Sequence, residues 1–357
     1  MLSGSNGPKI PVMQFSLAIN MERGDAATDI REVAAHTLAM VQMAEAGGFG
    51  IVWITEHHAI EQNISPAPFQ LMAFLAAHTS RIRLGSAVAV APYWHPVKLA
   101  GEAALFDLLS NGRLEFGIGR GAYQREFDIM AAGTPQREGG AYMREMLPVL
   151  KALWQGDFAH DGRYWAFPIA TSVPKPLQQP YPPLWVAARD PTTYDWAVAN
   201  GCNIQSWAIA RPFSEVELYK RQFETAAAKH PELPRPKFLT MRWTAVYTDP
   251  DGWDIPVKAI IRRGAQFENL FKNLGGVTNG FPHQIDLDSI ENRAEYQPAA
   301  LCENLMFGTP RQVIAKLDRY RELGVDDFCY STSYGLPMAF QKRSLRLFID
   351  EVMPAFA

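Results

Sequence analysis

Short apolar runs and longer amphipathic stretches alternate along this chain almost from end to end. Alternating or continuous β-branched and apolar positions predict strands at 12–20, 50–55, 82–90, 113–119, 184–188, 203–206, 238–247 and 327–331. Apolar positions recurring every three to four residues predict helices at 29–47, 66–79, 96–110, 137–154, 192–200, 214–229, 311–323 and 338–352. Gly47-Gly48 marks the end of the first helix and Asn111-Gly112 the end of the third. Strands that alternate with helices call for parallel pairing with helical crossovers. About eight such units favour a single α/β domain, a TIM (β/α)8 barrel over residues 1–357, rather than an open doubly wound sheet. Two stretches break the rhythm. Residues 168–183 are proline-rich and irregular. Residues 249–304, with Gly275-Gly276 and Asn279-Gly280-Phe281-Pro282, read as a long irregular insertion after strand 7, expected to be a mobile lid.

Composition excludes several classes of function. A hydrophobic share of 48% with 20% charged residues fits a globular protein with a sizeable core. A formal net charge of −3 leaves no basic footprint for nucleic acid. No run approaches the ~20 apolar residues that span a membrane. The first eleven residues are polar and glycine-bearing, without the apolar core of a signal peptide. Cys202, Cys302 and Cys329 are odd in number and far apart, which gives neither a disulfide framework nor a zinc pattern. A cytoplasmic setting is the expectation.

A barrel collects its chemistry at the C-terminal ends of its strands. Strand 2 ends there in Glu56-His57-His58. Neighbouring side chains at a strand end point in opposite directions, so one histidine is expected to face a pocket and the other to be tied into the scaffold. For the same reason the pair is a poor site for one metal ion, and none is expected. Arg120 and Gly121 follow strand 4, where glycines on both sides let a ligand approach the backbone and a guanidinium can fork onto phosphate oxygens. Arg189-Asp190-Pro191-Thr192-Thr193 follows strand 5 and opens a helix, a natural anion site. Taken singly, these residues have a plainer reading, with Asp190 or Thr192 as a helix cap and both arginines in surface ion pairs. Ser206-Trp207 ends strand 6. Gly117-Ile118-Gly119-Arg120-Gly121 lacks the third glycine of a dinucleotide fingerprint, and neither a P-loop nor HExxH is present. Seven aromatic residues lie near strand ends: Phe15, Trp53, Tyr93, Trp94, Trp165, Trp207 and Trp243. Two or three of them are expected to touch ligand and the rest to be packing.

In this order and spacing the residues resemble the bacterial luciferase-like flavin-dependent monooxygenases, most closely the luciferase subunits. The resemblance rests on Val52-Trp53-Ile54-Thr55-Glu56-His57-His58, on Gly85-Ser86-Ala87-Val88-Ala89-Val90 and on His95-Pro96-Val97. It continues through 112–121 with Tyr123, Val186-Ala187-Ala188, Thr193 with Trp196-Ala197, Ser206-Trp207 and Gly308-Thr309-Pro310. It implies a TIM-like barrel that binds reduced FMN without a covalent link. The flavin would react with O2, the co-substrate, to a C4a-hydroperoxide that oxygenates a substrate, here expected to be small and apolar. His57 would be the catalytic histidine, Glu56 would tune or hold the site, and His58 would be structural. Arg120, Gly121, Ala188, Arg189, Asp190, Thr193, Ser206 and Trp207 would hold the cofactor, with a non-proline cis peptide at Ala87-Val88 seating it. A separate flavin reductase and a homodimer built on the early helices are also implied.

Two positions depart from the luciferase pattern. Gly119 stands where the light emitters carry a reactive cysteine, which argues against light emission. Arg189-Asp190 replaces an acidic residue and a serine, which adds a cation at the phosphate. Three readings stand at this point: a two-component FMN monooxygenase, a flavin- or deazaflavin-dependent dehydrogenase on the same barrel, and a catalytically silent flavin-binding protein.

Overall fold

In a computed structural model, which describes residues 13–286 and 288–357, eight parallel strands close into a barrel. They are β1 (Gln14–Ala18), β2 (Ile51–Ile54), β3 (Arg83–Ser86, resuming at Ala89–Val90), β4 (Leu114–Gly119), β5 (Leu184–Ala187), β6 (Asn203–Trp207), β7 (Phe238–Val246) and β8 (Asp327–Ser331). Each pairs with the next in chain order, and the pairing Gln14↔Asp327 to Ala18↔Ser331 closes the ring. All eight correspond to strands expected from the sequence. The first 12 residues, with the signal-peptide question and the start of the first expected strand, lie outside the described residues.

Alternation along the strands sorts side chains into two cores. Outward positions such as Leu17, Val52, Leu84, Phe116, Val186 and Ile204 pack under the helices. Inward positions fill the barrel in layers. At the bottom, the Ser16 hydroxyl donates to Asp327, and Glu115 takes Arg83 and the Trp185 indole N–H. Above them Trp53 and Trp185 meet edge to face at 5.1 Å and plug the barrel. A Cβ at position 85 would collide with the Trp53 indole, so this floor requires glycine there. Above the plug the interior opens.

Burial pushes the Asp327 carboxyl from its ordinary 3.8 up to about 7, against the hydroxyl of Ser16. Because the folded value is raised, the unfolded chain gives up this proton first. Stability therefore falls as pH rises from about 4 to 7 and stays lower above that. Asp327→Asn keeps an acceptor for Ser16 and removes the charge. Chemical denaturation should show the variant gaining on the wild type by on the order of 2–4 kcal/mol at pH 8, and little at pH 4. A pH-independent difference would refute the assignment.

Several elements depart from the expected pattern. Residues 158–167, to which the sequence pattern assigned no element, and the first three residues of the stretch 168–183 expected to be irregular form a hairpin of Phe158–Asp161 and Ala166–Ala170. A seven-residue helix, Gln124–Met130, follows β4 and was too short to show a period. Most of 249–304 is regular rather than irregular, with a 19-residue helix Asp254–Lys272, a small hairpin (Val277–Thr278 with Phe281–Pro282) and a helix Pro298–Asn304. The long helix hid because its buried face, which includes Val257, Ile260 and Leu270, is interrupted by Arg263, Gly264 and Asn269. Among the described residues no helix is long and apolar enough to cross a membrane.

Candidate active site

A cavity of about 370 Å³ opens at the C-terminal ends of the strands. All twelve residues assigned from the sequence line it. Glu56 and His57 come from β2, Ala87 and Val88 from the break in β3, and Arg120 and Gly121 from the end of β4. Ala188, Arg189, Asp190 and Thr193 follow β5, while Ser206 and Trp207 end β6. The Ala87-Val88 peptide is cis. A Cβ at Gly119 would collide with the Val88 side chain, so the space that a cysteine would need is already filled.

The two histidines are separated as their alternation requires. His57 faces the cavity, stacks on Tyr123 at 5.1 Å, and directs Nδ1 at the Glu126 carboxylate, 3.0 Å away. That leaves Nε2 as the ring nitrogen available to the cavity. His58 turns to Glu56, with Nε2 at 2.9 Å from a carboxylate oxygen, and its ring meets Tyr93 edge-on. Glu56 is almost fully buried and also accepts from the Val90 N–H at 2.7 Å and the Trp94 indole at 2.8 Å. A carboxylate so occupied ties β2 to the segment after β3 and holds the site. Glu126, which the sequence reading passed over, is only 1% exposed and accepts from both His57 and the His58 N–H at 2.7 Å. It lies on the unread helix Gln124–Met130, in a run that looks like charged surface.

Across the mouth lies a cluster of cations. Arg120 and Arg189 are joined by Arg137, from the turn Gln136–Glu138, and by Arg144, from the second turn of the helix Gly139–Gln155 that follows it. A Cβ at Gly139 would collide with the Arg120 carbonyl, so this helix packs directly on the Arg120 backbone and brings both arginines alongside. None of the four makes an ion pair with a described residue, so the surface-pair reading of Arg120 and Arg189 does not hold. Partial withdrawal from bulk water, together with the like charge of Arg120, holds the Arg189 guanidinium below its ordinary value. Its face lies 5.5 Å from the Trp207 ring. Asp190 caps the helix Pro191–Ala199, its carboxylate accepting from the Thr193 N–H at 3.0 Å and the Thr193 hydroxyl at 2.7 Å. It orders the helix start and offers no donor to an anion.

Of the seven aromatics, Trp53 and Trp207 line the cavity. Phe15 packs outside the barrel against Phe348, and Trp165 meets Tyr142 beside the hairpin. Trp243 stands behind Trp207 at 5.4 Å. Phe267 and Phe271 of the long helix 254–272 complete the roof, and burial pushes the Tyr123 phenol up to about 12, so it stays protonated. Several polar atoms in the wall are buried without a partner: Trp53 Nε1, Gln205 Oε1, Ser206 Oγ and Trp207 Nε1. No group of three or more potential metal ligands occurs among the described residues.

Barrel, cation cluster and the His57–Glu126 pair meet in one cavity at the strand ends, with its positive charge on one side and the imidazole on the other. The chain belongs to the luciferase-like monooxygenase family, whose profile matches residues 13–327, and it is a flavin-dependent monooxygenase. It is 39% identical over 345 residues to the oxygenase component of a flavin-dependent trigonelline monooxygenase from Acinetobacter baylyi, covering 97% of this chain and 96% of that one. The alkanal monooxygenase alpha chain of the Kryptophanaron alfredi symbiont is 30% identical over 195 residues, 54% of each chain. Among solved structures, the oxygenating constituent of 3,6-diketocamphane monooxygenase from Pseudomonas putida, in complex with FMN, superposes with a TM-score of 0.74 at 19% identity, covering 96% of this chain and 98% of that one.

Proposed function

We propose that this chain is the oxygenase component of a two-component system, taking FMN reduced by a separate reductase and placing one oxygen atom of O2 on a small organic substrate. The observation that carries the reading is the convergence of unpaired arginines and unpartnered polar atoms on one cavity that also holds His57. These groups fit FMN. Arg120 and Arg189, with Arg137 and Arg144 beside them, match a phosphate's charge and geometry. Ala87 and Val88 form the seat, and Gln205 and Ser206 offer an acceptor and a hydroxyl to the polar edge of a flavin ring. Bound in its reduced state, the flavin supplies the two electrons that activate O2. His57 Nε2, oriented through Nδ1 by Glu126, moves a proton at the reacting centre. Residues 249–304 act as the lid, since Phe267 and Phe271 close the cavity from above. The apolar wall of Val88, Leu239, Met241 and Phe267 suits a substrate with an extended apolar face.

The reading is tested by anaerobic titration with FMN, reduced FMN and reduced deazaflavin, followed by mixing with O2. Reduced FMN should bind best and be reoxidised differently from free reduced FMN. Preference for the deazaflavin with no reaction toward O2 would make the chain a dehydrogenase. Reoxidation identical to that of free flavin would make it a silent binder.

The same reading includes a homodimer on the early helices. Phe74 on the helix Pro68–Ala77 and Leu105, Leu108 and Leu109 on the helix Pro96–Leu109 are all exposed, Leu109 at 67%. The three leucines follow helical spacing, so they form one apolar stripe. Light scattering should give a dimer for the wild type and a monomer for Leu105→Lys/Leu109→Lys. A monomeric wild type would remove the dimer.

A further inference from the structure

A second cavity, of about 600 Å³, lies outside the barrel and shares no lining residue with the active site. It opens past the end of β7, between the first helix Ile30–Ala46, the last helix Met338–Leu347 and the start of the helix Asp254–Lys272. Its walls are pinned. The Ser344 hydroxyl accepts from the Val246 N–H at 2.7 Å, which holds the last helix on β7, and Gln341 meets His36 of the first helix at 3.0 Å. The apolar lining is mostly aliphatic, with Met43, Val246, Ile255 and Leu347 around Phe340. Lys342, Arg343 and Arg346 stand over it from one face of the last helix. None of the three makes an ion pair with a described residue, and the Arg343 guanidinium lies 6.0 Å from the Phe340 ring. Like charges three and four positions apart on a helix disfavour one another, so the row is unfavourable until an anion meets it. The chain stays helical through Phe348–Val352, so these cations do not serve a free helix end either. The one carboxylate in the lining, Asp249, accepts from the Asp251 N–H at 3.0 Å within its own turn.

An apolar trough under unpaired cations is complementary to an anion with an apolar body. One contrast between the two cavities narrows the ligand further. The active-site wall keeps buried polar atoms without partners, whereas no described residue lining this groove has one. A nucleotide base or a flavin ring would leave its own polar atoms unmatched there, while an alkyl chain has none to match. Met43 and the aliphatic side chains beside it suit a flexible chain, and an arginine fork suits a carboxylate. We propose that this groove is a second binding site, for a medium-chain aliphatic carboxylate. The chain lies on Met43, Ile255 and Leu347, and Arg343 and Arg346 hold the head, with Lys342 adding charge. The site stands apart from the oxygenase reading, since it uses none of the groups on which that reading rests.

Calorimetry with octanoate, octanol and acetate separates the head from the chain. Octanoate should bind the wild type saturably, about tenfold or more tighter than octanol, because octanol leaves the cations without an anion. Acetate, which lacks the chain, should show no saturable binding. Lys342→Gln/Arg343→Gln/Arg346→Gln should lose about tenfold or more in octanoate affinity and keep the affinity for octanol. Ile255→Asp should weaken both. All four positions are exposed, so these variants should match the wild type in circular dichroism. Arg189→Ala, altered at the active-site mouth, should bind octanoate as the wild type does. No binding of octanoate, affinity no better than that of octanol, or affinity that survives in the triple variant would overturn the proposal. Loss of octanoate binding in Arg189→Ala would put the acid in the active site and overturn it as well.

Discussion

Replacing His57 with alanine is expected to lower turnover by about 10²–10⁴-fold while FMN affinity stays near that of the wild type. The expectation follows from the division of labour at the end of β2. His57 reaches the cavity through one ring nitrogen and is held through the other by Glu126, whereas the cofactor's charge falls to arginines across the mouth. Loss of the imidazole thus removes a proton carrier without removing a phosphate contact. Glu126→Gln gives the finer test, since an amide can still accept from the His58 N–H but no longer opposes a charge on His57. Turnover should fall less than in His57→Ala, and the pH dependence of turnover should move. A merely structural Glu126 would lower folding stability and leave that profile in place. Full activity in His57→Ala would take the residue out of the chemistry.

Arg189→Ala should raise the dissociation constant for FMN by about 10–100-fold, the worth of one charge-assisted contact to a phosphate. The cofactor-free protein should behave in the opposite way. Arg189 stands beside Arg120 without a carboxylate, and each disfavours the charge of the other, so removing one relieves a repulsion. The variant is therefore expected to match or exceed the wild type in thermal stability without FMN and to fall below it once FMN is present. Binding to the wild type should also weaken more steeply with salt than binding to the variant. Unchanged FMN affinity would make Arg189 a surface residue with no part in the site.

Much of the site was legible because it is local in the sequence. A strand ending in Glu56-His57-His58, a glycine-flanked Arg120, and Arg189 before a helix start all carry their signals within a few residues. The barrel then gathers strand ends on one face whatever the loops between them do. Glu126 was not legible in the same way. It lies on a helix of seven residues amid other charges, and its partner is 69 positions away. Arg137 and Arg144 looked like the solvated side of a helix, until Gly139 set that helix against the backbone of Arg120. Arg263 concealed its helix, because a charged residue at a buried position breaks the apolar period that marks a helix.

By itself the sequence determined the eight-strand barrel, the family resemblance and the strand-end groups at the mouth, since hydrophobic period and short motifs act over neighbouring residues. Only the tertiary structure decided which groups are already satisfied and which are left open. Glu56 and Asp190 spend their carboxylates on the scaffold, while Arg120 and Arg189 make no ion pair among the described residues. Whether a charge is paired depends on what the folded chain brings within a few ångströms of it, and no spacing along the sequence encodes that distance.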